Sequence, residues 1–208
     1  MMKMKILCML VLLIITLVVA TGCGNSAKTS DNGMQDLTSA EAKQFSKYAF
    51  SFEYPRSYSI WTDKLLDTNP NEDSGMVQVA PAEGGFPMFA VSWVKTWEWG
   101  LEGGLEAGFE GIGNLEGIER IEMGDIQYVT KTGPRMLYQE GHPMLLRYYT
   151  ATTETAGETI YGMVGSYYCE DTQRMFSLVT ANSTTKTPSS EQAFLDFEKY
   201  ISTVVCHP

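Results

Sequence analysis

Few residues of this 208-residue chain have the chemistry to act on anything. Its cysteines are Cys8, Cys23, Cys169 and Cys206, and its histidines are His142 and His207. Cys169 and Cys206 form an even pair outside the apolar N-terminal stretch. In an oxidising compartment they are expected to form a disulfide. Closing a loop of that length would stabilise the fold by ~4 kcal/mol. The competing reading makes Cys169 a nucleophile served by His142 or His207. A catalytic thiol needs an electropositive setting, and none is visible in the sequence. His142 lies between Gly141 and Pro143, the composition of a turn, and His207 is next to the C-terminus. As metal ligands the two histidines lack partners at a recognisable spacing, so no metal site is expected. Asn71-Glu72-Asp73 reads as a solvated loop rather than a hard-cation site. There is no G-x-S-x-G, H-E-x-x-H, Walker loop or paired C-x-x-C. The expectation is a non-enzyme with no catalytic residues and no cofactor.

Cys23 is a different case. Lys3 and Lys5 precede an apolar run from Ile6 to Ala20, and Thr21, Gly22 and Cys23 follow. A basic start, an apolar stretch too short to span a bilayer comfortably and small residues before a cut define a signal peptide. Ala20-Thr21-Gly22-Cys23 resembles the lipobox of prokaryotic lipoproteins, although leucine is usual where Ala20 stands. The resemblance implies cleavage before Cys23 and palmitate-type acylation of its sulfur. The alternative is an ordinary signal peptide with a chance cysteine. Each buried acyl methylene contributes roughly 0.8 kcal/mol, and one chain alone holds only reversibly, so stable anchoring needs two or more. The expected localisation is the cell membrane, lipid-anchored on the extracytoplasmic side.

The division that follows is 1–22 signal peptide, 23–40 lipidated cysteine and polar tether, and 41–208 one globular domain. The tether would span ~20–25 Å. Without residues 1–22 the chain keeps 13 basic residues against 25 acidic, a net charge of −12. That argues against a nucleic-acid partner and against contact between the domain body and anionic lipid.

The domain's grammar is mostly strands. "YAFSFEYP" places Tyr48, Phe50, Phe52 and Tyr54 on one side, and Pro55 stops it. "MVQVAP", "MFAVSWVKTW", "IQYVTKT", "RMLYQE", "MLLRYYTATT", "TIYGMVGSYYC" and "MFSLVTAN" read as further strands separated by turn signals. Short connections favour antiparallel pairing. Leu37, Thr38 and Glu41 have the pattern of a helix start. Residues 100–111, "GLEGGLEAGFEG", repeat with period four, so on a helix glycine, apolar and glutamate stripes would lie side by side. The alternative is a Gly-rich loop, since each glycine costs roughly 1 kcal/mol against alanine. A final helix opens at Thr187-Pro188, or at Ser189 with Gln192, and carries Phe194, Phe197, Ile201 and Val204 on one stripe. A Cys169–Cys206 bridge would pin its end to a strand.

Phe89, Val91, Trp93, Trp97 and Trp99 keep one parity. Tyr148, Tyr149, Tyr167 and Tyr168 supply further rings on both faces of the sheet. One reading is core. The other is a groove with Trp93, Trp97 and Trp99 as ligand-binding residues, taking an apolar or sugar-like molecule or a partner peptide. Asn182-Ser183-Thr184 matches a glycosylation acceptor and suits a surface turn.

"FSFEYPRSYSI" resembles the start of PsbP-like domains through Phe50, Phe52, Tyr54, Pro55 and Tyr58. The order of later elements, over residues 45–205, is also similar. The resemblance implies an α+β fold, an antiparallel β-sheet flanked by helices in an α/β/α sandwich, and no catalytic residues. Members mostly bind proteins or assist assembly, and related lipoproteins are associated with apolar ligands. The expected function is a membrane-anchored extracytoplasmic lipoprotein acting as a binding or assembly module with an envelope protein partner. The alternative is a small-ligand carrier.

Overall fold

The computed structural model describes residues 42–61, 70–96, 98–115, 117–129, 142–154 and 157–207. The element order is β1 (Ala42–Lys47), β2 (Phe50–Pro55), β3 (Tyr58–Ile60), β4 (Ser74–Pro81), β5 (Met88–Val94), α1 (Gly100–Gly113), β6 (Ile118–Val129), β7 (Met144–Thr153), β8 (Thr159–Cys169), β9 (Arg174–Thr184) and α2 (Ser190–Ile201). Seven strands form one antiparallel sheet in the order β3-β4-β5-β9-β8-β7-β6, and β1 and β2 form a separate hairpin. Among the described residues the fold is α+β, mostly antiparallel sheet with two helices. Cys23, the tether, the Thr38 pattern and "RMLYQE" lie outside the described residues. The first described element, Ala42–Lys47, is strand β1.

The alternation read from the sequence sorts side chains to two faces. Phe89, Val91, Trp93, Leu146, Phe176 and Leu178 join a core shared with β2 and α2. Ala90, Leu145, Tyr149, Val164, Val179 and Ala181 join a second core beneath α1. Both faces are therefore covered, and aromatic rings are used on each.

The first hairpin turns earlier than its sequence suggests. Lys47 pairs with Phe50, leaving Tyr48 and Ala49 as a two-residue turn with φ of 55° and 54°. Such turns usually recruit Asn or Gly. Here tertiary contacts hold the turn: Arg174 donates to both turn carbonyls, and Tyr48 stacks on Trp93 at 5.3 Å. Tyr48 is thus a turn residue and not a strand neighbour of Phe50.

The period-four segment is a helix, α1. It has no side-chain cap, and its stability comes from the sheet it lies on. A Cβ on Gly104 would come 2.2 Å from Ser166 Oγ, and one on Gly108 would come 2.5 Å from Val164 Cγ1. Those glycines let backbone meet sheet at a distance no alanine allows. α2 begins at Ser189, whose hydroxyl accepts from the Gln192 amide at 3.4 Å, so of the two expected starts the later one is used.

Asn182 is not on a surface turn. It lies within β9, is 5 % exposed, and its Nδ2 donates to Asp196 Oδ2 at 3.2 Å. The acceptor triplet is a chance match on a strand whose side chain is committed to α2.

Candidate metal centre

β8 ends at Cys169, and the turn Glu170–Gln173 returns the chain so that Arg174 of β9 pairs with it. Beyond α2 the chain folds back in tight turns, with Thr203 N donating to Tyr200 O and Val204 N to Ile201 O. Ser51 and Val205 then exchange both backbone hydrogen bonds at 2.8 Å, which fixes the tail against β2. Cys206 and His207 follow directly. His142 lies two residues before β7, the strand beside β8.

These segments bring four side chains together. One ligand atom from each of His142, Cys169, Cys206 and His207 lies within 4.8 Å of all the others. The two cysteines are fully buried and the two histidines half-buried, so the cluster is closed on its sulfur side and reachable from its imidazole side. They are the chain's entire complement of imidazoles and every cysteine beyond the N-terminal Cys8 and Cys23.

The surroundings hold this arrangement. His207 Nε2 is 3.4 Å from Asp171 Oδ2, in the turn that follows Cys169. A carboxylate on one ring nitrogen leaves the other, Nδ1, for the cluster. His142 stacks on Tyr167 at 5.9 Å and meets His207 edge-on at 5.7 Å. Tyr167 in turn stacks on Phe176 at 5.0 Å, and the Arg174 guanidinium lies 5.1 Å from the Phe176 ring centre. Arg174 is 2 % exposed. Besides the Tyr48 and Ala49 carbonyls it reaches Glu72 O at 3.4 Å and Cys206 O at 3.3 Å. A buried guanidinium must have its donors satisfied, and here it spends them on the hairpin turn, the loop before β4 and the C-terminal tail.

Two sequence expectations bear on this cluster. No disulfide joins Cys169 and Cys206 in the structure, and two imidazoles lie beside them. Spacing along the sequence argued against metal ligation, whereas three separate segments bring these four side chains together. The signal available in the sequence was the count: two cysteines and two histidines in one domain. Chemically, two sulfurs and two nitrogens at this separation suit a thiophilic divalent ion.

The aromatic groove does not assemble from its described members. β5 stops at Val94. Trp93 is 3 % exposed, packs against Phe50 at 4.8 Å and donates Nε1–H to Asn71 O at 2.8 Å, so it is core. Trp99 stands at the N-cap position of α1 and is 41 % exposed. Trp97 lies outside the described residues. Parity was lost because the strand ends before the last two tryptophans.

No family model matches the chain, and no curated protein does. Among solved structures it is similar to the Ran-binding protein Mog1p of Saccharomyces cerevisiae, at 12% identity over 80% of this chain and 96% of that one, TM-score 0.49. It is also similar to a point mutant of protein Mog1, at 10% identity over 78% of this chain and 94% of that one, TM-score 0.48. These neighbours are Mog1 folds and not PsbP, so the PsbP resemblance drawn from Phe50 to Tyr58 is corrected. Its residues have a simpler explanation: Phe50, Phe52, Tyr54 and Tyr58 are buried in the core beneath the hairpin. Alternating aromatics before a proline describe any half-buried strand of this kind.

Proposed function

We propose that the protein is a lipoprotein anchored through acylated Cys23 on the extracytoplasmic side of the cell membrane, acting as a non-enzymatic binding or assembly module for an envelope protein. The anchor rests on the N-terminal pattern. The observation that carries the binding role is the outer edge of β6. This strand is 12 residues long, and among the described residues nothing pairs with its free side. A register shift between Met123 and Ile126 marks a bulge, which the Arg147 Nε–H holds by donating to Gly124 O at 2.7 Å. The bulge brings Met123, opposite Tyr149, and Ile126, opposite Arg147, onto the same face beside α1. Both are nearly half exposed, at 48% and 46%. An open strand edge with adjacent apolar side chains suits an added strand from a partner.

Capture on the full chain from detergent-solubilised membranes tests this reading. One envelope protein is recovered reproducibly, Ile126→Asp loses it without lowering stability, and Cys23→Ser moves the protein out of the membrane fraction. Recovery of lipid alone, or capture indifferent to Ile126→Asp, contradicts the binding role.

A further inference from the structure

We infer that His142, Cys169, Cys206 and His207 form a binding site for one zinc ion, which ties the C-terminal tail to the ends of β7 and β8. Zinc takes four ligands tetrahedrally, with bonds of about 2.3 Å to sulfur and about 2.0–2.1 Å to nitrogen, so its ligand atoms stand roughly 3.3–3.8 Å apart. The observed limit of 4.8 Å between ligand atoms is within about 1.0–1.5 Å of that arrangement, a distance side-chain rotation covers. Two thiolates and two neutral imidazoles neutralise the ion, as a site with buried sulfurs requires.

The support around the ligands is that of a built site. The Asp171 carboxylate orients the His207 ring from the turn that follows Cys169. Arg174 fixes the carbonyl of Cys206, and the Ser51–Val205 pairing sets the height of the tail. With all four positions supplied by protein, the ion has no open coordination site and the role is structural. Bound metal adds its binding free energy to the fold.

The full chain, purified from membranes in detergent without added reductant or chelator, is assayed for metal and for free thiols. The inference predicts one zinc per chain. Cys169 and Cys206 resist a thiol reagent until a chelator is added, and both then react. Cys169→Ser loses stoichiometric zinc. Asp171→Asn, which leaves every ligand in place, weakens zinc binding about 10–100-fold with the fold intact. Two outcomes overturn the inference: a metal-free chain whose two sulfurs are joined as a disulfide, or zinc content unchanged by Cys169→Ser.

Discussion

The Arg174 guanidinium donates to the carbonyl oxygens of Ala49 and Cys206, at 2.8 Å and 3.3 Å, joining residues at opposite ends of the domain sequence. It also lies under the Cys/His cluster, through Phe176 and Tyr167. One side chain therefore supports the non-glycine hairpin turn and the tail that carries two of the cluster's ligands. Arg174→Met removes those donors and strands buried carbonyls. The expected loss is at least about 3 kcal/mol by urea unfolding. Arg174→Lys recovers only part of it, because one ammonium cannot span both carbonyls. A loss under 1 kcal/mol for Arg174→Met would contradict this role.

α1 separates two kinds of glycine. Gly104 and Gly108 sit against Ser166, Val164 and Ser177, where a methyl group does not fit, whereas a Cβ on Gly111 meets nothing within 4 Å. Gly104→Ala and Gly108→Ala should each destabilise by about 1–3 kcal/mol. Gly111→Ala should stabilise by up to about 1 kcal/mol through helix propensity. Thermal unfolding of the three variants reads the contrast, and Ser166→Gly should restore Gly104→Ala.

Asp196 is fully buried on α2, and its carboxylate accepts from Asn182 and from Gln192 Nε2, the latter at 2.9 Å. Burial raises its pKa above the ordinary 3.8, against the lowering effects of Gln192 and Lys199. The folded state then holds this proton more tightly than the unfolded state. The group's contribution to stability is complete below the ordinary carboxylate range and is lost as pH rises through the raised folded value. In Asp196→Asn that loss is absent, the neighbouring amides turning to satisfy the new one. The melting temperature of the variant relative to the parent should therefore climb between about pH 4 and neutrality. A difference that stays constant with pH would refute the assignment.

The tryptophans divide in the same way. Trp93→Ala opens the core around Phe50 and Tyr48 and should cost about 3–5 kcal/mol. Trp99→Ala, at the exposed start of α1, should cost under about 1 kcal/mol. Equal and small costs would return Trp93 to the role of an open binding surface.

The sequence carried the strand parity of Phe89, Val91 and Trp93, the apolar stripe of α2 and the glycine stripe of α1, because period and local spacing report which face is buried. Local patterns misled where a distant partner decides. Tyr48 and Ala49 turn without glycine because Arg174, far along the chain, holds them. Asn182 matches an acceptor triplet and is occupied by Asp196. The Cys/His cluster was hidden for the same reason, since its ligands come from three segments whose meeting depends on the strand order of the sheet. Only its composition was visible.

The most direct measurement is X-ray absorption at the zinc edge of the full chain as purified from membranes. The account predicts a first shell of two sulfurs at about 2.3 Å and two nitrogens at about 2.0–2.1 Å. A shell of oxygens, or a protein carrying no zinc and a Cys169–Cys206 bond, would contradict it.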